Sequence, residues 1–306
     1  MEDWIRSLRD LLVDNLRRNK FPLPADRSIC SRWALGMPEG GRRVLYTSCM
    51  YQLAPLIARA VDLLERIGAS SGGVRARLAA TGARLFGGLV LKPSEEELGR
   101  AERILRNIAD MLNKAGVQFG VLKDEPYSGA LLYELGFEDD FAAYAQEVYR
   151  YFKERGVQEV ITVDPHTHHV LEKIYPKFVE GFDIKVVSYM DLIKPSKASI
   201  NKVVIHDSCL YARYLDRYDV YRRILDSVGV THVEDPYITG KAYSGCCGGP
   251  IESVKPDIAA EVAKIRVRQL AKLSDTVVTV CPICYVNLSR AGGGVKIFDI
   301  AEVISA

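Results

Sequence analysis

The chain has 306 residues, 48% of them hydrophobic and 26% charged, which is enough to bury a large core shared between two domains of ordinary size. Its 41 basic and 39 acidic side chains nearly cancel, which excludes the electrostatic footprint of a dedicated nucleic-acid binder. No run approaches the roughly 18 uninterrupted apolar residues that span a bilayer, and the acidic start Met1-Glu2-Asp3-Trp4-Ile5-Arg6 lacks the basic stretch and apolar run of a secretory signal, so a cytoplasmic protein is expected.

The opening residues predict an amphipathic helix, and the apolar run Arg43-Val44-Leu45-Tyr46-Thr47-Ser48-Cys49 predicts a strand that ends in a cysteine. Between Cys49 and Tyr127 lies extra length, read as a helical insertion at about 70–115 that includes Ser70-Ser71-Gly72-Gly73 and the stretch from Val74 to Leu91. That stretch interleaves Arg75, Arg77 and Arg84 with Leu78, Leu85, Phe86 and Leu89. The pattern suits either a helical pair packed on its own domain or a surface meeting a partner or the membrane periphery. Pro126-Tyr127-Ser128-Gly129 follows, and Val160-Ile161-Thr162-Val163 is an expected strand running into Asp164-Pro165-His166-Thr167. Asp164, His166, His168 and His169 look at first like metal ligands, but Asp164 followed by Pro165 reads better as a helix N-cap with proline in the first turn. Lys185-Val186-Val187 opens another strand, and the segment from about Asp191 to Asn201, with Pro195, reads as the linker.

Beyond the linker the same order returns. Val203-Val204-Ile205-His206-Asp207-Ser208-Cys209 matches the run that ends at Cys49, and Val277-Val278-Thr279-Val280-Cys281 matches the run that ends at Asp164. Lys296-Ile297-Phe298 matches Lys185-Val186-Val187, and Gly245-Cys246-Cys247-Gly248 stands where the first half has Pro126-Tyr127-Ser128-Gly129. Helices are expected from Leu210 to Val228 and from Ile258 to Leu273, alternating with the strands. The chain is therefore predicted to be α/β: two duplicated small parallel-sheet domains, 1–194 and 195–306, related by a pseudo-twofold. The first half has lost four of five thiols.

Those five thiols carry the chemistry. Thirty-six residues separate Cys209 from Cys246, and thirty-three separate Cys247 from the Cys281-Pro282-Ile283-Cys284 motif, so only the fold can unite them. Thiolates are the soft anionic ligands that iron-sulfur clusters take, and Gly245, Gly248 and Gly249 would let backbone approach sulfur. A helix starting at Pro282 would aim free N–H groups at an anion. Zinc would use four thiolates and leave one idle, and a thioredoxin-like redox pair would explain Cys281 and Cys284 alone. Cys30 and Cys49 stay unassigned. His206 at a strand end is a candidate proton donor, or else a residue whose hydrogen bond only positions the loop.

One cysteine, then Cys246-Cys247-Gly248, then a late Cys-x-x-Cys resembles the cysteine-rich, or CCG, domain of the heterodisulfide reductase family. That family includes the catalytic B-type subunit and the iron-sulfur subunits linked to lactate, glycolate and succinate oxidation. The resemblance implies one 4Fe-4S cluster on Cys209, Cys246, Cys247, Cys281 and Cys284, in either an ordinary cubane or a five-cysteine noncubane form. It also implies an oxidoreductase subunit that transfers electrons or reduces a disulfide within a multi-subunit complex. The alternatives are an electron-relay subunit of a lactate- or glycolate-type dehydrogenase, and a zinc-binding structural or assembly subunit. The chain has neither a Cys-x-x-Cys-x-x-Cys ferredoxin run nor a Gly-rich nucleotide loop. Electrons would have to come from a partner carrying flavin or further clusters, with a disulfide or thiol as the substrate.

Overall fold

The computed structural model describes residues 2–66 and 92–306, so the Val74 to Leu91 stretch lies outside the described residues. Its architecture is two four-stranded parallel sheets flanked by helices. The first sheet contains β1 (Arg43–Tyr46), β2 (Gly120–Val121), β3 (Glu159–Thr162) and β4 (Lys185–Ser188) in the order β2-β1-β3-β4. After a short strand β5 (Lys197–Ala198), the second contains β6 (Lys202–His206), β7 (Thr231–Val233), β8 (Thr276–Thr279) and β9 (Lys296–Asp299) in the order β7-β6-β8-β9. The two orders are the same.

The registers also agree. Val44 faces Val160 and Leu45 faces Ile161 in the first sheet, while Val204 faces Val277 and Ile205 faces Val278 in the second. Glu159 opposite Lys185 has its counterpart in Thr276 opposite Lys296. The central strands are fully buried because a parallel sheet covered by helices on both faces must be apolar on both, which explains the continuous Val and Ile runs.

In each sheet the chain first moves to one side and then crosses back over its first strand, so β1/β3 and β6/β8 are the pairs where strand order reverses. Open α/β sheets form a crevice at the carboxyl ends of such a pair. Cys49 follows β1, Asp164 follows β3, Cys209 follows β6 and Cys281 follows β8.

The expected helices differ in detail. Instead of running unbroken from Leu210, the chain makes one wide turn of π type at Leu210–Tyr214, passes through Asp216 in the left-handed region, and starts its helix at Tyr218–Ser227. The next helix is Pro256–Ala271. Within the inserted length, Glu95–Lys114 is a helix opened by a capping box in which Ser94 and Glu97 satisfy each other's backbone N–H groups. It does not stay on its own half. Asn107 donates to Ala301 O and Ile304 O at 2.6 and 2.8 Å, and Arg100 pairs with Glu302. The linker residues Lys197–Ala198 pair antiparallel with β10 (Ile304–Ser305). From the other direction, Trp4 in the helix Glu2–Asn19 donates to Ser253 O at 3.2 Å. No helix among the described residues is long and apolar enough to cross a membrane.

Candidate metal centre

Three features around the second sheet deliver the five thiols. Cys281 ends β8 as the N-cap of the helix Pro282–Ala291, its sulfur accepting the Cys284 N–H at 3.4 Å with Pro282 in the first turn. Cys209 follows β6, where the preceding Asp207 takes a bidentate grip from Arg222 at 2.7 and 3.0 Å, so a buried ion pair fixes the loop. The Cys246-Cys247 pair rides on a glycine loop. A Cβ on Gly248 would come within 2.6 Å of Ala259 O, and Gly248 itself has φ of +100°, so only glycine lets this loop lie so close to the helix Pro256–Ala271.

The loops bring all five predicted cysteines together. The thiols interact electrostatically in the order Cys209, Cys246, Cys247, Cys284, Cys281, and all five are free. Cys247, Cys281 and Cys284 are buried and Cys209 partly so, while Cys246 is exposed and accepts the Gly248 N–H at 3.3 Å. Their proton affinities diverge. Its bond to Cys246, together with burial, pushes the Cys209 thiol up, whereas bonds to Cys209 and Cys247 pull Cys246 down. Burial opposes ionisation of Cys281, but bonds from Cys284 and the nearby His166 carry it well below the usual thiol range.

Two buried nitrogen-bearing side chains face these sulfurs. Arg266, only 1% exposed in the middle of the helix Pro256–Ala271, donates from Nε to His206 Nδ1 at 3.1 Å, while its Nη2 has no hydrogen-bond partner. A guanidinium nitrogen buried without an acceptor, on a side chain that feels Cys246, Cys247 and Cys284, suits an anionic group among the thiols. The sequence did not single out Arg266; the signal was an Arg within the otherwise apolar stripe Ala259, Ala263, Val267, Leu270. The second is His166 of the first half. Its Nε2 lies 3.3 Å from Cys281 Sγ and its Nδ1 lies 2.7 Å from Glu134 Oε1, and these two partners outweigh burial and raise its pKa well above the ordinary imidazole value. Glu134, at the end of the short helix Ala130–Glu134, was also missed.

His206 is placed with Cys247 and Cys284, its ligand atom within 4.8 Å of both sulfurs. Burial and then Arg266 push its pKa down to about 3, so at neutral pH it is an uncharged imidazole with Nδ1 accepting and the proton on Nε2. Lys241 is exposed and sits 3.9 Å from Asp219, and Tyr243 is exposed too.

Among the described residues, the matching crevice of the first half holds no comparable set. Cys49, at the place of Cys209, forms a disulfide with Cys30, which gives both leftover cysteines a role and keeps Cys49 from lining the thiol site. Ser48 and Cys49 adopt φ of +51° and +55°, a left-handed conformation rare outside glycine. The buried Glu125 carboxylate steadies them by accepting from the Thr47 and Cys49 N–H groups. Asp164, at the place of Cys281, is the expected cap, accepting from His166 N and Thr167 N at 2.9 and 3.0 Å. The other histidines turn elsewhere: His168 Nδ1 bonds Thr162 Oγ1 at 2.7 Å and His169 packs on Tyr133 and Tyr214.

Residues 203–289 match the family model described as a cysteine-rich domain, CCG, and this stretch contains all five thiols of the second-sheet crevice. Among curated proteins the chain is similar to the probable iron-sulfur-binding oxidoreductase FadF of Bacillus subtilis, with 27% identity over 226 residues covering 67% of this chain and 32% of that protein. It is similar to the EtfAB:quinone oxidoreductase of Syntrophomonas wolfei, with 29% identity over 232 residues, 67% of this chain and 32% of that one. It is also similar to one subunit of the fumarate reductase (CoM/CoB) of Methanothermobacter marburgensis, with 29% identity over 164 residues, 49% of this chain and 32% of that one. The chain spans about a third of the length of these relatives.

Proposed function

We propose that Cys209, Cys246, Cys247, Cys281 and Cys284 hold a single 4Fe-4S cluster, and that the chain is the cluster-bearing part of a multi-subunit oxidoreductase. The observation that carries this reading is the convergence of five free thiols beside the buried Arg266 and His166, where zinc would need only four. Bound there, the cluster would accept and pass single electrons. The protein's own contribution is to exclude water with buried loops, to orient ligands through the Asp207–Arg222 pair and the Cys281 cap, and to balance negative charge with Arg266 and His166. His206 is best read as a positioning residue: neutral and pinned by Arg266, it is unsuited to act as an imidazolium acid at neutral pH.

Exposure of Cys246 favours a second reading, in which a disulfide substrate reaches the site at this edge. Reduction would consume two electrons from a flavin- or cluster-bearing partner and two protons, releasing two thiols. Anaerobically reconstituted protein should carry about four iron and four sulfide per chain. Cys281→Ser or Cys209→Ser should lose most of this iron, because an alcohol is a harder and far less acidic ligand. One zinc per chain with no sulfide, or about eight iron, would overturn the proposal.

A further inference from the structure

We propose that His166, supplied by the half of the chain without a thiol site, donates a hydrogen bond to the Cys281 sulfur and so raises the reduction potential of the cluster held in the other half. This inference rests on the cluster reading above and gives the first half a part in the electron chemistry.

The imidazole is held at both ends. The Asp164 carboxylate caps the turn by accepting the His166 N–H, Glu134 takes the Nδ1 edge at 2.7 Å, and Nε2 is left facing Cys281 Sγ at 3.3 Å. Both His166 and Cys281 are buried, so water does not compete for the contact. The donor assignment follows from counting protons. A cysteine bound to metal carries no proton on sulfur, and a bare Nε2 would set its lone pair against that thiolate at 3.3 Å, so the hydrogen in the N···S contact belongs to Nε2. The remaining proton of the Glu134–His166 pair can then sit on Nδ1, giving an imidazolium beside a carboxylate, or on Glu134, giving a neutral imidazole beside a carboxylic acid. Both arrangements leave Nε2–H pointing at sulfur.

A donor on a ligating sulfur withdraws charge from the cluster, and it does so more strongly after the cluster has taken up an electron, because the sulfur is then more negative. The reduced state is therefore stabilised over the oxidised one, and the potential rises. The contact is one-sided. In the duplicated order the residue matching His166 is Ile283, which cannot donate, so no reciprocal bond runs to the first crevice.

The test is a redox titration of reconstituted protein followed by electron paramagnetic resonance, with iron per chain measured on each sample. His166→Leu should keep the wild-type iron content and shift the midpoint to a more negative potential. His166→Gln, whose side-chain amide can still donate, should recover part of that shift. Glu134→Gln keeps the imidazole but removes the carboxylate behind it, and should give a smaller shift in the same direction. A His166→Leu protein with full iron and an unchanged or more positive midpoint overturns the inference. Should His166→Leu fail to hold iron, Glu134→Gln decides: a negative shift supports the bond and an unchanged midpoint overturns it. Failure of the underlying cluster reading looks different, since wild-type protein would then take up no iron and sulfide at all.

Discussion

Asp164 and Cys281 occupy the same place in two copies of one fold, and both cap a helix by accepting backbone N–H groups. One does so with oxygen and the other with sulfur, and that difference separates a cap from a metal ligand. The cysteines were legible in the sequence because no other side chain supplies a soft anion, and their spacing around predicted strands already implied convergence. Arg266 and Glu134 were not legible, because an arginine or glutamate has no special meaning until its distant partner is known. Glu125 belongs to the same group and carries a prediction. Burial raises its pKa from 4.5 to about 7 against the pull of the Thr47 and Cys49 hydrogen bonds. Between those values the unfolded chain releases its proton first, so stability contributed by the protonated acid is present below the lower value and is lost as pH rises through the upper one. The loss is on the order of 3 kcal/mol. Glu125→Gln should flatten the fall in Tm between about pH 5 and pH 8. An unchanged slope would show that Glu125 does not titrate in that window. Asp164, Glu252 and Asp299, also pushed up by burial, should leave some residual slope.

Among elements, strands were read more accurately than helices. A buried parallel strand announces itself as a short apolar run, and both central pairs fall where Val160-Ile161 and Val277-Val278 placed them. The stretch after Cys209 gave no such guidance: its apolar spacing fits one continuous helix, yet Asp216 breaks it, and Arg217 reaches across to Asp191. Such a break depends on contacts far away in sequence. The glycine loop was readable for its flexibility but not for its target, the backbone of Ala259. From that contact we expect Gly248→Ala to destabilise the fold by about 1–3 kcal/mol and to release iron faster to a chelator. Iron retention equal to wild type would mean that the loop can move away from the helix Pro256–Ala271 without disturbing the Cys246-Cys247 pair.

At the scale of the whole molecule, the duplication was visible but the interlocking of its halves was not, since periodicity says nothing about which half a surface helix covers. Asn107 and Trp4 reach from the first half to the second, and the β5/β10 pairing ties the linker to the end of the second. The Cys30–Cys49 disulfide ties the segment after the first helix to the end of β1 across 19 positions. Closing a loop of that size stabilises by roughly 3 kcal/mol in the chain-entropy account. Cys30→Ser should lower Tm accordingly and leave iron content unchanged, and a non-reducing peptide map should show the two cysteines linked. Recovery of both as alkylated thiols from oxidised protein would remove the disulfide from the account. The matching registers of the two sheets carry a consequence for ancestry. Side chains at corresponding sites can be exchanged without redesigning the backbone around them, so an ancestral copy was free to shed its ligands one at a time while remaining folded. What it kept was a fixed attachment point two residues past the cap, and at position 166 the chain has turned it toward its twin: on the cluster reading proposed above, two copies that began as equals divide a single task between a holder and a modulator.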